Sequence, residues 1–387
     1  MSHLMQNYGR LPVSFVSGQG ASVRDSAGRE YLDALCGLAV TGLGHAHEGV
    51  TRALQAQASA LLHTSNLYQV PEQERLATRL CEVSGMDRVF FCNSGAEANE
   101  AAIKLARRWG NSLEQPRGTI IVMEGSFHGR TMATLTATGN RKAQAGFEPL
   151  LKGFVRAPYD DIAAIEQIAR NNTDVVAVLL EPVQGEGGIA VPSDDYLPAL
   201  RRICDEQNWL LMLDEVQTGN GRTGRFFAYQ HAQILPDVVT TAKGLGNGVP
   251  IGACLASGTA AEVLTPGTHG STFGGNPLVC AAGNAVLDAL EDGTLMARAA
   301  ELGERIRDAL RARLKGNNRV REIRGKGLMI GIELTSPASG LVQQALERGL
   351  LINVTADSVV RLLPPLILTD EQANAVSAAV ADLIEDQ

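Results

Sequence analysis

Residues 238–252 read VVTTAKGLGNGVPIG. An apolar run, Val238 to Ala242, carries a single lysine, Lys243, at its end and then gives way to glycines. Burying an unpaired lysine is expensive, so chains keep lysines on solvated faces. A lysine where a buried strand enters a tight loop therefore calls for a chemical reason. The neighbouring runs RVFFCN (88–93), TIIVME (119–124), VVAVLLEP (175–182), WLLMLDE (209–215), DVVTTAK (237–243) and GACLAS (252–257) share the texture. Continuous apolar runs of this length suit strands covered on both faces. Amphipathic helical patterns, such as GAEANEAAIKLARRWG (95–110) and DYLPALRRICDEQN (195–208), lie between them. The alternation predicts an α/β fold with a mainly parallel, doubly wound sheet.

Beyond Pro277 the texture changes. One long helical stretch (278–316) leads into VREIRGKGLMIGIEL (320–334), a further helix, the short runs LLINVT (350–355) and VVRLLPPL (359–366), and a terminal helix. This reads as a smaller α+β domain, joined by the N-terminal segment ASVRDSAGREYLDAL (21–35) with its hairpin-like turn. The expected division is an N-terminal segment over 1–50, a large domain over 51–276 and a small domain over 277–387.

Composition narrows the class. The 387 residues are 45% hydrophobic and 20% charged, and 34 Lys plus Arg against 42 Asp plus Glu give a net charge of −8. That balance carries no electrostatic footprint for nucleic acid. Six scattered cysteines form no CxxC pair and read as buried free thiols rather than a metal site or disulfide frame. MSHLMQNYGR lacks a secretory core, and no apolar run approaches a membrane span. A reduced, cytoplasmic enzyme with no membrane or nucleic-acid partner and no bound metal is expected.

Ligands of open parallel sheets gather beyond the carboxyl ends of the strands. CNSGAEANEAAIK (92–104) places a Ser-Gly-Ala turn at a helix start, which reads equally as an anion site or as a plain cap by Ser94. GSFHGRT (125–131) offers Phe127, His128 and Arg130, although a loop Phe on its own is more often core. EPVQGEGG (181–188) closes a strand with two acids. LDEVQTG (213–219) puts Asp214 and Glu215 at the end of a strand too apolar to hide an unpaired carboxylate. GNGRTG (219–224) matches GxGxxG formally, but EVQT separates it from the strand, so it is not a dinucleotide fingerprint. Taken together, an anion cradle, an aromatic platform, an acid for a ring nitrogen and a lysine able to form a Schiff base describe a pyridoxal phosphate site.

Six ordered blocks, SGAEANEAAIKLAR, SFHGRT, EPVQGEGG, LDEVQTGNGRTG, TTAKGLGNGVPIGA and GSTFGGNPLVCAA, resemble the class III pyridoxal-phosphate aminotransferases of fold type I over essentially the whole chain. The resemblance implies a small-molecule amino donor and 2-oxoglutarate as substrates. It gives Gly95 and Ala96 the phosphate, Phe127 a ring face, and Asp214 the ring nitrogen. Glu215 and Val216 are expected beside the cofactor, Gln217 at the ring hydroxyl, and Lys243 on the cofactor itself. Arg130 would hold a substrate carboxylate, and Arg361 a second one, with Glu186 as a movable counter-charge. Thr272 would reach the phosphate of a neighbouring copy, with Ser271 beside the substrate, implying a homodimer with shared sites. HTSNLY (63–68) and PGTHGSTFGGNPL (266–278) most resemble the branch acting on N2-acetylornithine; relatives take succinylornithine, succinyldiaminopimelate or 4-aminobutyrate. Free-ornithine enzymes of the class carry a tyrosine where Ser22 stands here, which disfavours an unacylated donor.

Overall fold

The computed structural model describes residues 3–386. The chain opens with three short antiparallel strands, β1 (Phe15–Gln19), β2 (Ser22–Asp25) and β3 (Glu30–Asp33). Seven strands then form the central sheet: β4 (Arg88–Cys92), β5 (Thr119–Met123), β6 (Phe154–Ala157), β7 (Val175–Leu180), β8 (Leu210–Asp214), β9 (Val238–Thr241) and β10 (Gly252–Ala256). Their order across the sheet is β4-β10-β9-β8-β7-β5-β6. Only β10 runs against its neighbours, with Gly252 opposite Cys92 and Ala253 opposite Thr241.

The apolar runs are explained by two cores, one on each face. Ile121, Met123, Val178, Leu180, Leu211 and Leu213 join one cluster, and Ile120, Val122, Leu179, Leu210 and Met212 the other. Successive residues of a strand point to opposite faces, so strands covered on both sides leave few positions for polar side chains. The helix Gly95–Asn111 covers one face through Ala102, Ile103 and Ala106. Helices Pro71–Ser84 and Tyr196–Gln207 cover the other through Leu76, Leu80, Leu200 and Ile203.

A second antiparallel sheet holds β11 (Val320–Lys326) and β12 (Met329–Leu334), and it is completed by two later strands. β13 (Leu350–Leu351) leaves this sheet and pairs parallel with β3, which ties the N-terminal strands to the C-terminal part of the chain. β14 (Asn353–Thr355) and β15 (Val359–Leu362) then return to β12. Two features depart from the sequence reading. The long helical stretch is two helices, Pro277–Leu290 and Thr294–Arg313, because Gly293 adopts φ 74° and breaks the ladder. FVRA, too short and mixed to register as an apolar run, is the edge strand β6.

Candidate active site

β4 ends at Cys92, and Ser94 caps the next helix by accepting the Glu97 N–H at 3.2 Å. The Glu97 carboxylate reaches back to the Asn93 backbone N–H at 2.6 Å. Gly95 and Ala96 donate no hydrogen bond from their backbone N–H groups among the described residues, and both face a cavity of about 600 Å3. Free N–H groups at the positive end of a helix make an anion seat. A Cβ on Gly95 would meet the Val216 side chain at 2.7 Å, so only glycine leaves room there. Gly252, at the start of β10, has the same role towards the chain: a Cβ would meet the Ser94 carbonyl at 2.4 Å.

Across the cavity, Asp214 ends β8 on the face covered by the Gly95–Asn111 helix. Its Oδ2 accepts from Asn99 at 2.7 Å and from His128 Nδ1 at 2.8 Å, and its Oδ1 from the Val216 N–H at 3.0 Å. Asn99 is itself oriented by the Thr240 hydroxyl at 2.7 Å. The buried Nε2 of His128 has no hydrogen-bond partner among the described residues.

Lys243 follows β9 in a left-handed conformation, φ 46°, and lines the same cavity. Its ammonium makes no hydrogen bond or ion pair among the described residues. Burial pushes it below the usual lysine range; Glu186 opposes that shift and Arg361 adds to it. Asn220 fixes the approach by donating to Thr241 Oγ1 at 3.0 Å and the Ala242 carbonyl at 3.2 Å. Asn247 fixes the exit, accepting from Leu43 N–H at 2.9 Å.

Arg361 of β15 is 0% exposed. It donates to Asn353 at 3.0 Å, to Glu186 at 2.6 Å and to Gln217 at 3.4 Å, and its Nη2 has no hydrogen-bond partner among the described residues. The Glu186 side chain is 34% exposed, so it has somewhere to go. Phe127 lines the cavity, and the exposed Arg130 lies over its ring at 5.5 Å.

Gly95, Ala96, Phe127, Arg130, Glu186, Asp214, Val216, Gln217 and Lys243 thus meet around one cavity, with Arg361 behind Glu186. Glu215 does not join them. It turns to the opposite face, where Thr218 donates its hydroxyl and Tyr229 its N–H at 2.9 Å. Glu215 directly follows β8, and its backbone N–H still donates to the Thr240 carbonyl of β9 at 2.9 Å, so the alternation of the strand carries on by one residue and turns it away from Asp214. Ser22 lies in β2, outside the cavity wall. Ser271 accepts from Asn93 at 3.2 Å and Gly274 at 3.0 Å, while Thr272 is exposed; neither lines this cavity.

Sequence reasoning missed three contributors. Asn99 sits four residues before Ile103, on the apolar face of its helix, and that misplaced amide was the available signal. Glu181 lines the cavity deep in the wall. Val40 enters the wall from a run of four left-handed residues, Cys36 to Ala39 (φ 52°, 60°, 71° and 65°), whose start is held by Asp33 accepting from the Leu35 and Cys36 N–H groups. No local pattern announces that turn.

A family model for aminotransferase class-III matches residues 4–384. Acetylornithine aminotransferase from Nitrosomonas europaea is 58% identical, with 99% of this chain and 98% of that protein covered. N-acetylornithine aminotransferase from Stenotrophomonas maltophilia superposes with a TM-score of 0.85 at 37% identity, over 98% of each chain. Ornithine aminotransferase from Toxoplasma gondii, crystallized with partial occupancy of PLP at its active site, superposes with a TM-score of 0.95 at 36% identity, over 99% of this chain and 92% of that one.

Proposed function

The chain belongs to the class-III aminotransferases, and we propose that within this family it moves the δ-amino group of N2-acetylornithine to 2-oxoglutarate, giving N-acetylglutamate 5-semialdehyde and glutamate in arginine biosynthesis. The family's cofactor is pyridoxal phosphate, and the residues present fit it. Two free helix N–H groups suit its phosphate, Asp214 its ring nitrogen, Phe127 and Val216 the two ring faces, and Gln217 the ring hydroxyl. Lys243, an amine with no hydrogen-bond or ion-pair partner among the described residues, suits its aldehyde. When bound, the cofactor supplies a carbonyl carbon that takes up an amine and a ring that withdraws electrons from the carbon beside that amine.

The chain supplies the rest. Lys243 Nζ, its basicity lowered by burial, would take up the proton of the substrate carbon that bears the amine and give it back two bonds away, beyond the nitrogen. Asp214 is held rigid by Asn99 and His128, so it does not have to reorganise as charge develops nearby. Arg130 presents a planar fork to the donor carboxylate. The observation that carries the reading is the Arg361–Glu186 pair. An enzyme alternating between a donor with one carboxylate and an acceptor with two needs a cation it can cover and uncover. Glu186 covers Arg361 while the donor is bound and swings aside for the second carboxylate of 2-oxoglutarate.

Ser271 and Thr272, outside their own cavity, complete that of a second copy in a homodimer. The setting is the cytoplasm, where six free thiols stay reduced. A single-turnover comparison at equal concentration tests the substrate. N-acetylornithine should consume the cofactor's absorbance at least about tenfold faster than free ornithine, N-succinylornithine or 4-aminobutyrate, a preference of about 1.4 kcal/mol. A win by any of the other three replaces the proposed donor and leaves the cofactor chemistry standing.

A further inference from the structure

EPVQGEGG carries two acids, and the proposed function uses only Glu186. Glu181 is 5% exposed, lines the cavity and makes no ion pair within the described residues. Its Oε1 accepts the Phe127 N–H at 2.9 Å, and its Oε2 accepts the Gly185 N–H at 2.9 Å. The first bond holds the loop that carries the aromatic platform. The second holds the turn whose next residue is Glu186. We propose that Glu181 is a positioning residue: one carboxylate bridges the Phe127 loop and the Glu186 turn, setting the cofactor's platform and the carboxylate gate in register with each other.

The chemistry of the side chain supports this. Two N–H groups arriving at two oxygens require an acceptor at both, which an ionised carboxylate provides and an amide does not. A glutamine would accept one N–H and set its own donor against the other. Retaining a buried acid here has a cost that burial alone would select against. Burial, the largest influence, pushes the Glu181 carboxyl up to about 7; His128 draws it down, Asp214 pushes it up, and the two N–H bonds draw it down. The other charged or titratable groups near it are Lys243 at the cavity floor, Glu186 on its own turn with Arg361 beyond, and Tyr159, whose hydroxyl donates to the Glu181 carbonyl at 3.0 Å. Protonation makes one oxygen a hydroxyl, a donor and a much poorer acceptor, so the bridge to one of the two loops loosens below that range.

The idea rests on the functional reading above, and its test separates the two. Glu181→Gln imitates the protonated acid at every pH. Pyridoxal phosphate affinity, by titration of the apoprotein, and KM for 2-oxoglutarate should both weaken about tenfold at pH 8.5. The ratio of variant to wild type should then shrink towards one by pH 5.5, where wild type has lost the same bridge. Taking the ratio cancels every titration that the two proteins share. A variant that matches wild type at pH 8.5 overturns the proposal, and so does a deficit that stays constant across pH with a lowered apoprotein Tm. Should the amide fail to fold, Glu181→Asp, one methylene too short to span both loops, must weaken one of the two parameters and spare the other; weakening neither, or both equally, overturns it. The cofactor titration needs no substrate, so a wrong donor leaves that arm intact.

Discussion

Replacing Glu186 by Gln isolates the gate. In the structure Arg361 Nη1 donates to Glu186 at 2.6 Å, Arg361 is 0% exposed, and its remaining partners are the Asn353 and Gln217 amide oxygens. Hydrogen bonds between charged groups are worth about 1.5–3 kcal/mol, and the 34% exposure of Glu186 argues for the lower end. About 1.5 kcal/mol corresponds to roughly tenfold. The pair is closed before the donor binds and stays closed while it is bound, so its loss acts on both states alike and kcat/KM for the donor should change by less than about twofold. During the acceptor half-reaction no ion pair has to open, so KM for 2-oxoglutarate should fall about tenfold. Stopped-flow single turnovers, following the cofactor's absorbance in each half-reaction separately, read the two effects. Shifts of the same sign and size in both would show a permanent structural bridge and refute the gate.

Glu215→Gln should leave pyridoxal phosphate affinity unchanged, since Glu215 faces away from the cavity. It should also alter the pH dependence of stability. Burial, the largest influence, pushes the folded-state carboxyl from 4.5 up to about 7, so between those values the folded chain keeps a proton that the unfolded chain has released. Stability therefore falls as pH rises through that window, by about 2 kcal/mol between pH 5.5 and 8.5. The amide accepts from Tyr229 and donates to Thr218 without titrating, so its Tm relative to wild type should climb a few degrees over that range; a constant difference would contradict the assignment. Gly95→Ala forces a methyl against Val216 and should weaken cofactor binding at least about tenfold, with part of the loss restored by adding Val216→Ala. No restoration would mean that the methyl meets something else. Lys243→Ala should abolish turnover, by about 10⁴-fold or more, while the Tm of the apoprotein holds or rises because a desolvated cation with no ion pair among the described residues is gone. A large fall in Tm would make Lys243 a structural residue.

The strands were legible because both faces of the sheet are covered, which turns each into an unbroken apolar run. Strand direction was not legible, since a run such as Gly252–Ala256 reads identically either way and only partner register makes it antiparallel. β6 escaped because an edge strand of four residues needs no continuous hydrophobicity. Within the site, residues at strand ends and helix starts were visible through residue type: an unpaired Lys243, an acid at Asp214, a glycine at Gly95. Glu215 lies away from the cavity because the alternation of side chains carries on past the end of β8, a rule readable in the sequence. Val40 and the bond from Phe127 to Glu181 come from contacts between segments far apart in the chain, and no short window along the sequence holds both halves of such a contact.

The reversed strand has a consequence for how the protein comes into being. β10 lies between β4 and β9, and it enters the sheet about 160 residues after the strand it pairs with on one side. As the chain leaves the ribosome, β4 and the anion seat behind it emerge early but have no strand to pair with, and β9 stands at an open sheet edge, until Gly252–Ala256 arrives to fill the slot. Long-range closure of that kind is slow, and an unfilled edge invites pairing with other chains. The same insertion fastens the far end of the lysine-bearing loop. A nascent chain short of Ala256 therefore has no assembled seat for the cofactor, and pyridoxal phosphate arrives as a late stabiliser of a finished sheet rather than as a template for building it.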